Sequence, residues 1–69
     1  MTRTPEQILQ QTNQLAREFA QIIGYEILNP NLNFWEGTHP RLQMCWKMAR
    51  AAQIALTDTD PEDAIVELD

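Results

Sequence analysis

The sequence has little of what most small catalytic or metal-binding domains depend on. Among its 69 residues there is one cysteine, Cys45, and one histidine, His39. A single cysteine excludes an internal disulfide and makes a cysteine-based metal cage implausible, so we expect no metal and no cofactor. A lone thiol among apolar neighbours is typical of a reducing compartment, which predicts a cytoplasmic location.

Long hydrophobic runs and a strong positive charge are also missing. No apolar stretch approaches the roughly 20 residues of a membrane span, and the N-terminal MTRTPEQ lacks a signal-peptide core. Of the five basic residues, only Arg41, Lys47 and Arg50 could form a patch, so direct nucleic-acid binding is disfavoured. We expect neither a membrane nor a nucleic acid as partner.

Residues for catalysis are equally scarce. His39 precedes a proline, which suits a helix cap, and Cys45 falls in an apolar arc where burial would keep the thiol inert. Six residues along a helix would place these two side chains on opposed sides. No pair of groups with assignable acid and base roles is found, so we expect that the chain is not an enzyme.

The negative charge lies at one end of the chain. Residues 1–57 carry four acids against five bases, whereas residues 58–69 carry six acids and no base. Such a segment either docks on a partner, which its charge predicts to be basic, or folds back toward Arg41, Lys47 and Arg50. Exposed ion pairs contribute only about 0–1 kcal/mol each, so apolar contacts decide between the two.

Helical signals dominate, and they predict an all-α single domain over residues 1–69. Thr4-Pro5-Glu6-Gln7 resembles a capping box and starts a helix over about 5–23 that ends near Gly24. Thr38 or His39 caps a second, antiparallel helix over about 40–57. Asp60 and Pro61 start a short acidic third helix over about 61–68.

The connection between the long helices, residues 25–37, is the hardest part to interpret. Asn-Pro-Asn is typical of a turn, and yet the stretch is too apolar for a solvated linker. We expect an ordered loop that packs over the helix pair. A short strand at Tyr25–Leu28 is the alternative, although no partner strand is evident.

The second helix has an apolar arc that covers about half of its surface. Its members are Leu42, Met44, Cys45, Met48, Ala49, Ala51, Ala52, Ala55 and Leu56. Trp46 and Ile54 straddle the polar arc that holds Gln53. So wide an arc predicts neighbours on two sides, and a chain this short gains from oligomerisation, so we expect a twofold homodimer.

The predicted function is a small non-enzymatic protein–protein interaction module: an adaptor, an assembly factor or an acidic inhibitor. The candidate interface residues are Met44, Met48, Ala51, Ala55, Trp35, Trp46, Ile65 and Leu68. Methionine and tryptophan are favoured at such contacts. The alternative is a small-molecule or cofactor-binding subunit with a pocket lined by Phe34, Trp35, Met44 and Met48.

Three more specific interpretations, in which the chain binds copper, calcium or DNA, have less support from the sequence. Met44 and Met48 could ligate copper(I), but their spacing is also that of a packing stripe. Asp58, Asp60 and Glu62 resemble a calcium loop that lacks its glycine and ends on Asp69. A helix-turn-helix across the same turn would present acids to phosphates and is rejected.

Overall fold

Three helices form in the order that the sequence predicts. In the computed structural model, which describes residues 3–29 and 31–68, α1 spans Pro5–Ile22, α2 spans Pro40–Thr57 and α3 spans Pro61–Leu68. The all-α prediction is confirmed, and the strand alternative is wrong, because neither described segment contains a strand. Pro30 of the predicted turn and Asp69 of the predicted acidic segment lie outside the described residues.

Local signals set the ends of α1. The Thr4 hydroxyl accepts the Gln7 backbone N–H at 3.2 Å, and the Gln7 side chain accepts the Thr4 N–H at 3.0 Å, which completes the capping box. At the other end Gly24 has φ +78°, and Tyr25 N–H donates to the Ala20 carbonyl at 2.8 Å. This is a Schellman ending, so α1 stops one residue earlier than the predicted 23.

The starts of α2 and α3 also follow the predicted chemistry. His39, rather than Thr38, caps α2, and its Nδ1 accepts the Arg41 backbone N–H at 3.1 Å. Asp60 caps α3 by accepting the Glu62 N–H at 3.0 Å. Between the two helices, Asp58 takes the left-handed conformation with φ 54° and ends α2.

The core lies where α1, α2, α3 and the long connection meet. Small residues, Ala16 and Ala20 on α1 with Cys45 and Ala49 on α2, are fully buried and let the antiparallel helices approach closely. The larger buried side chains are Leu9, Phe34 and Trp46. Ile22 and Ile23 are exposed because they lie at the end of α1.

The connection packs as predicted and contains one turn of 3₁₀ helix, Phe34–Glu36. Asn13 of α1 fixes this turn, since its Oδ1 accepts the Phe34 backbone N–H at 3.1 Å and its Nδ2 donates to Asn33 at 3.2 Å. Trp35 then lies against Trp46, with ring centroids 5.5 Å apart. The turn therefore closes one side of the core over α2.

Candidate interaction surface

The two sides of α2 have different surroundings. Its buried residues are Cys45, Trp46, Ala49 and Gln53, which face α1 and the connection. At about 100° per residue, Met44, Ala51 and Ala55 lie roughly 150° around the axis from that buried set. These three are exposed, and Met48 beside them is half-buried. We call Met44, Met48, Ala51 and Ala55 the outer seam.

The outer seam is an apolar strip on a helix that contains no acidic residue. Met44 is 44 % exposed although its neighbour Cys45 is fully buried. Arg41 and Lys47, both exposed, lie close to the strip near the start of α2. The Arg41 guanidinium carbon lies 5.8 Å from the centroid of the Tyr25 ring, which in turn stacks on His39 at 5.2 Å.

The eight predicted interface residues do not form one surface. Met44, Met48, Ala51 and Ala55 share the outer seam. Trp46 is only 6 % exposed and belongs to the core, while Trp35 and Ile65 are half-buried and pack against that core. Leu68 is 47 % exposed on α3 and lines a different part of the surface.

The acidic segment folds back on its own chain in the described residues. Arg50 donates from Nε and Nη2 to the two carboxylate oxygens of Asp60, each at 2.9 Å, and Glu62 lies 3.8 Å from Arg50 Nε. The Arg50 hydrogen bonds, with help from the Glu62 backbone N–H, lower the pKa of Asp60, although burial acts in the opposite direction. Of the three bases predicted to meet the segment, Arg50 is the one with these contacts.

Apolar contacts complete the docking of α3. Pro61 and Ala64 are buried, and Ile65 packs against the core. Most of the contacts of α3 are with α1 rather than α2. The helix therefore packs on the inner side of the bundle, and among the described residues of the outer seam Met44, Ala51 and Ala55 stay exposed.

A polar network connects α1 with the end of α2 and the start of α3, and the polarity pattern of the sequence does not predict it. It is buried at Thr12 and Gln53 and partly exposed at Arg3. Gln53 Nε2 donates to the Thr12 hydroxyl at 3.1 Å, and that hydroxyl donates to the Ile8 carbonyl at 2.7 Å. Arg3 donates to the hydroxyls of Thr57 and Thr59 at 3.0 Å each. Arg3 also contacts Gln53 Oε1 at 3.5 Å and the side chain of Gln11.

This network satisfies the polar groups that it buries. Among the described residues, no buried side-chain nitrogen or oxygen lacks a hydrogen-bond partner. One signal could have located Gln53: it lies four residues after Ala49 and eight after Cys45, on the same helical row. The polarity of the Gln53 side chain alone places it in the polar arc.

The pocket alternative brings together residues that the structure separates. Phe34 is 1 % exposed and fills the core, whereas Met44 lies on the outer seam. A shallow concavity of about 200 Å³ does adjoin Trp35, and its other walls include Leu9, Asn13 and Leu68. A second, of about 250 Å³, lies among Tyr25, Ile27, Leu32 and Leu42. Both are smaller than the roughly 300–1,000 Å³ typical of ligand pockets.

The two side chains considered as catalytic candidates, Cys45 and His39, have structural roles in the fold. Burial raises the pKa of the Cys45 thiol, which lies among core side chains, and the His39 ring caps α2. Within residues 3–29 and 31–68, no three side chains of the metal-binding types come together to hold an ion. Nor is any helix of the described chain both long and apolar enough to cross a bilayer.

Comparisons with protein-family models, with curated protein sequences and with solved structures gave no match.

Proposed function

We propose that this chain is a small non-enzymatic protein–protein interaction module, and that the outer seam of α2 is its contact surface. The observation that supports the proposal is the exposure of Met44, Ala51 and Ala55 on the side of α2 that faces away from a core already closed by α1, α3 and the connection. Exposed apolar side chains that lie together on one helix face are typical of contact sites.

The acidic-inhibitor version receives less support. Asp60 and Glu62 are engaged by Arg50, and α3 is docked by Pro61 and Ala64. A basic partner would therefore meet only the remaining exposed carboxylates, such as Asp63 and Glu67. Val66, which is 72 % exposed, gives that surface a small apolar centre. We rank it second as a contact surface.

Small-molecule binding is the second candidate function, and the concavity beside Trp35 favours it. Leu9, Trp35 and Leu68 supply apolar walls, and Asn13 supplies an amide. The Asn13 side chain is already hydrogen-bonded to Asn33 and to the Phe34 backbone, so few polar groups remain to orient a ligand. The outer seam therefore remains our first choice. The buried, unreactive Cys45 is compatible with the cytoplasmic location that we also propose.

A photoreactive side chain placed on the outer seam tests the proposal in the cells that make the protein. With a benzophenone amino acid at Ala51, we expect one adduct of defined mass, because the seam is in contact with another polypeptide. The same amino acid at Gln14, an exposed position on α1, is the matched control and should give no such adduct. Absence of an adduct at Ala51, at Met44 and at Ala55 would contradict the proposed surface.

A further inference from the structure

We propose that the outer seam binds a second copy of this chain, antiparallel, about a twofold axis that passes between positions 49 and 50. This inference rests on the proposed function, because it names the occupant of the same surface. Three features of α2 support it: the spacing of the seam residues, the order of their sizes and the charges at the two ends.

The spacing is that of a helix–helix seam. Met44, Met48, Ala51 and Ala55 follow one another at intervals of four, three and four residues. Alternating intervals of three and four keep side chains on the line where two helices cross at a small angle. Met44, Ala51 and Ala55 are exposed, whereas Met48 is half-buried and also packs against the core, so it lies at the inner edge of the line.

The sizes complement each other only when the two helices are antiparallel. Both large residues lie in the first half of α2 and both alanines in the second half. Antiparallel pairing about the proposed axis places Met44 opposite Ala55 of the second copy, and Met48 opposite Ala51. A flexible methionine then fills the space above each alanine. Parallel pairing would instead set methionine on methionine and alanine on alanine.

The charges support the same register. Arg41 lies three residues before Met44, and Asp58 lies three residues after Ala55, so the proposed axis brings each Arg41 opposite Asp58 of the second copy. Both side chains are exposed, and Asp58 is held at the end of α2 by its left-handed cap. A parallel pair would align Arg41 and Lys47 with their own copies, and like charges facing each other repel.

The seam is short, so the association is weak. One 18-residue helix per copy, half of whose seam is alanine, buries less than the roughly 1,200 Å² that separates weak from standard interfaces. The dimer therefore forms at high micromolar protein concentration and is followed by a concentration series.

Disulfide trapping tests the register directly. In a Cys45→Ala background, we mix a Met44→Cys chain with an Ala55→Cys chain of different mass under a glutathione redox buffer. The mixed 44–55 disulfide should form at least tenfold faster than either homodisulfide. In the antiparallel register, two residues 44 are about 16 Å apart along the axis, at 1.5 Å per residue, and beyond disulfide reach.

The relative rates of the three disulfides distinguish antiparallel pairing, parallel pairing and no self-association. A dominant 44–44 disulfide would show parallel pairing and overturn the inference. Equal, slow formation of all three products would show that the seam is not a self-interface. If the chain then stays monomeric by light scattering while the Ala51 photoprobe still gives an adduct, a different protein occupies the seam and only this inference fails. If neither assay detects a contact, the proposed function fails as well.

A substitution on the seam gives a second readout that does not depend on thiol chemistry. Ala51→Glu should weaken self-association at least tenfold by light scattering, because it places a carboxylate against Met48 of the second copy. Gln43→Glu adds the same charge to the same helix at an exposed position off the seam, and it should leave the mass curve unchanged. An unchanged curve for Ala51→Glu would overturn the inference, provided that circular dichroism shows the variant to be folded.

Discussion

The inner and outer faces of α2 are similar in composition and opposite in surroundings. The inner face holds Ala49 and Cys45 and is closed by α1, whereas the outer face holds Ala51 and Met44 and meets solvent. Hydrophobicity alone does not separate them. The inner face is distinguished by its contacts, which are with the alanines of α1, the ring of Trp35 and the hydroxyl of Thr12.

This difference separates folding from association within one helix. A change on the inner face acts on the fold, because the side chain there already has close neighbours. A change on the outer face should act on contacts between molecules. Four predictions test this separation, beginning with the largest effect.

Two alanines two positions apart provide the sharpest test. Ala49→Glu would bury a charge without a partner among Ala16 and Ala20, at a cost of about 4 kcal/mol or more. The whole fold of a chain this size is worth roughly 5 kcal/mol, so the variant should lose its helical circular dichroism. Ala51→Glu should stay folded, with a free energy of unfolding within about 0.5 kcal/mol of the parent in dilute solution.

The denaturation curves of these variants are directly comparable because both add one carboxylate to α2. A folded Ala49→Glu variant would show that the inner face tolerates a charge. An unfolded Ala51→Glu variant would show that the outer face is needed for the fold. Either result would remove the distinction between the faces.

The buried amide on the inner face gives the second-largest effect. Gln53→Ala should lower the free energy of unfolding by about 1–3 kcal/mol, because it removes the Thr12 hydrogen bond and one acceptor of Arg3. Combination with Thr12→Val should cost less than the sum of the two single changes by at least about 0.5 kcal/mol. Gln43→Ala is the exposed control, and strict additivity of the two inner changes would argue against the hydrogen bond.

Much of this fold could be predicted from the sequence because residues close to each helix end determine where the helix begins or ends. Thr4 with Gln7, Gly24 after α1, and Asp60 before Pro61 act through backbone groups only two to five residues away. Such signals need no knowledge of tertiary contacts. The bounds of the three helices were therefore predicted to within one residue.

The orientation of α2 could not be predicted in the same way. A helical wheel ranks residues by polarity, and it placed Trp46 at a border and Gln53 in the polar arc. Trp46 is buried because Trp35 comes back from the connection to cover it, and Gln53 because Thr12 offers it a partner 41 positions away. The sequence alone did not place these long-range neighbours. A helical wheel also puts Leu56 in the apolar arc, although that side chain is 81 % exposed at the end of α2.

The third prediction concerns the border between the faces, where Arg50 holds α3. The pKa of Asp60 is lowered in the fold, so ionised Asp60 stabilises it. This contribution is complete above the unfolded-state pKa of about 4 and is lost as the pH falls through the lower folded-state value. Asp60→Asn keeps a capping side chain, so urea unfolding should show a smaller loss of stability below about pH 4 than in the parent.

A net-charge control is needed, because Asp60→Asn also removes one negative charge. Glu67→Gln makes the same change on α3 and leaves the Arg50 contacts in place. It should retain the acid sensitivity of the parent. If Asp60→Asn and Glu67→Gln lose stability equally on acidification, the Arg50–Asp60 pair does not anchor α3.

The fourth prediction uses chemical labelling of the parent protein, which needs no substitution and is therefore the smallest perturbation. Met44 and Cys45 are adjacent, and yet Met44 is 44 % exposed while Cys45 is fully buried with a raised pKa. Excess peroxide should oxidise Met44 in the folded protein, whereas thiol reagents should modify Cys45 only at the rate of unfolding. Mass spectrometry of the peptides measures both.

The same labelling experiment connects the faces of α2 to association. If a second copy covers the outer seam, raising the protein concentration should slow Met44 oxidation, since the outer face gains a neighbour. The Cys45 reaction should slow as well, because association of the folded chain lowers the fraction that unfolds. No slowing at Met44 across the range in which the mass doubles would place the dimer contact elsewhere on the molecule, because a covered thioether cannot remain as reactive as a free one.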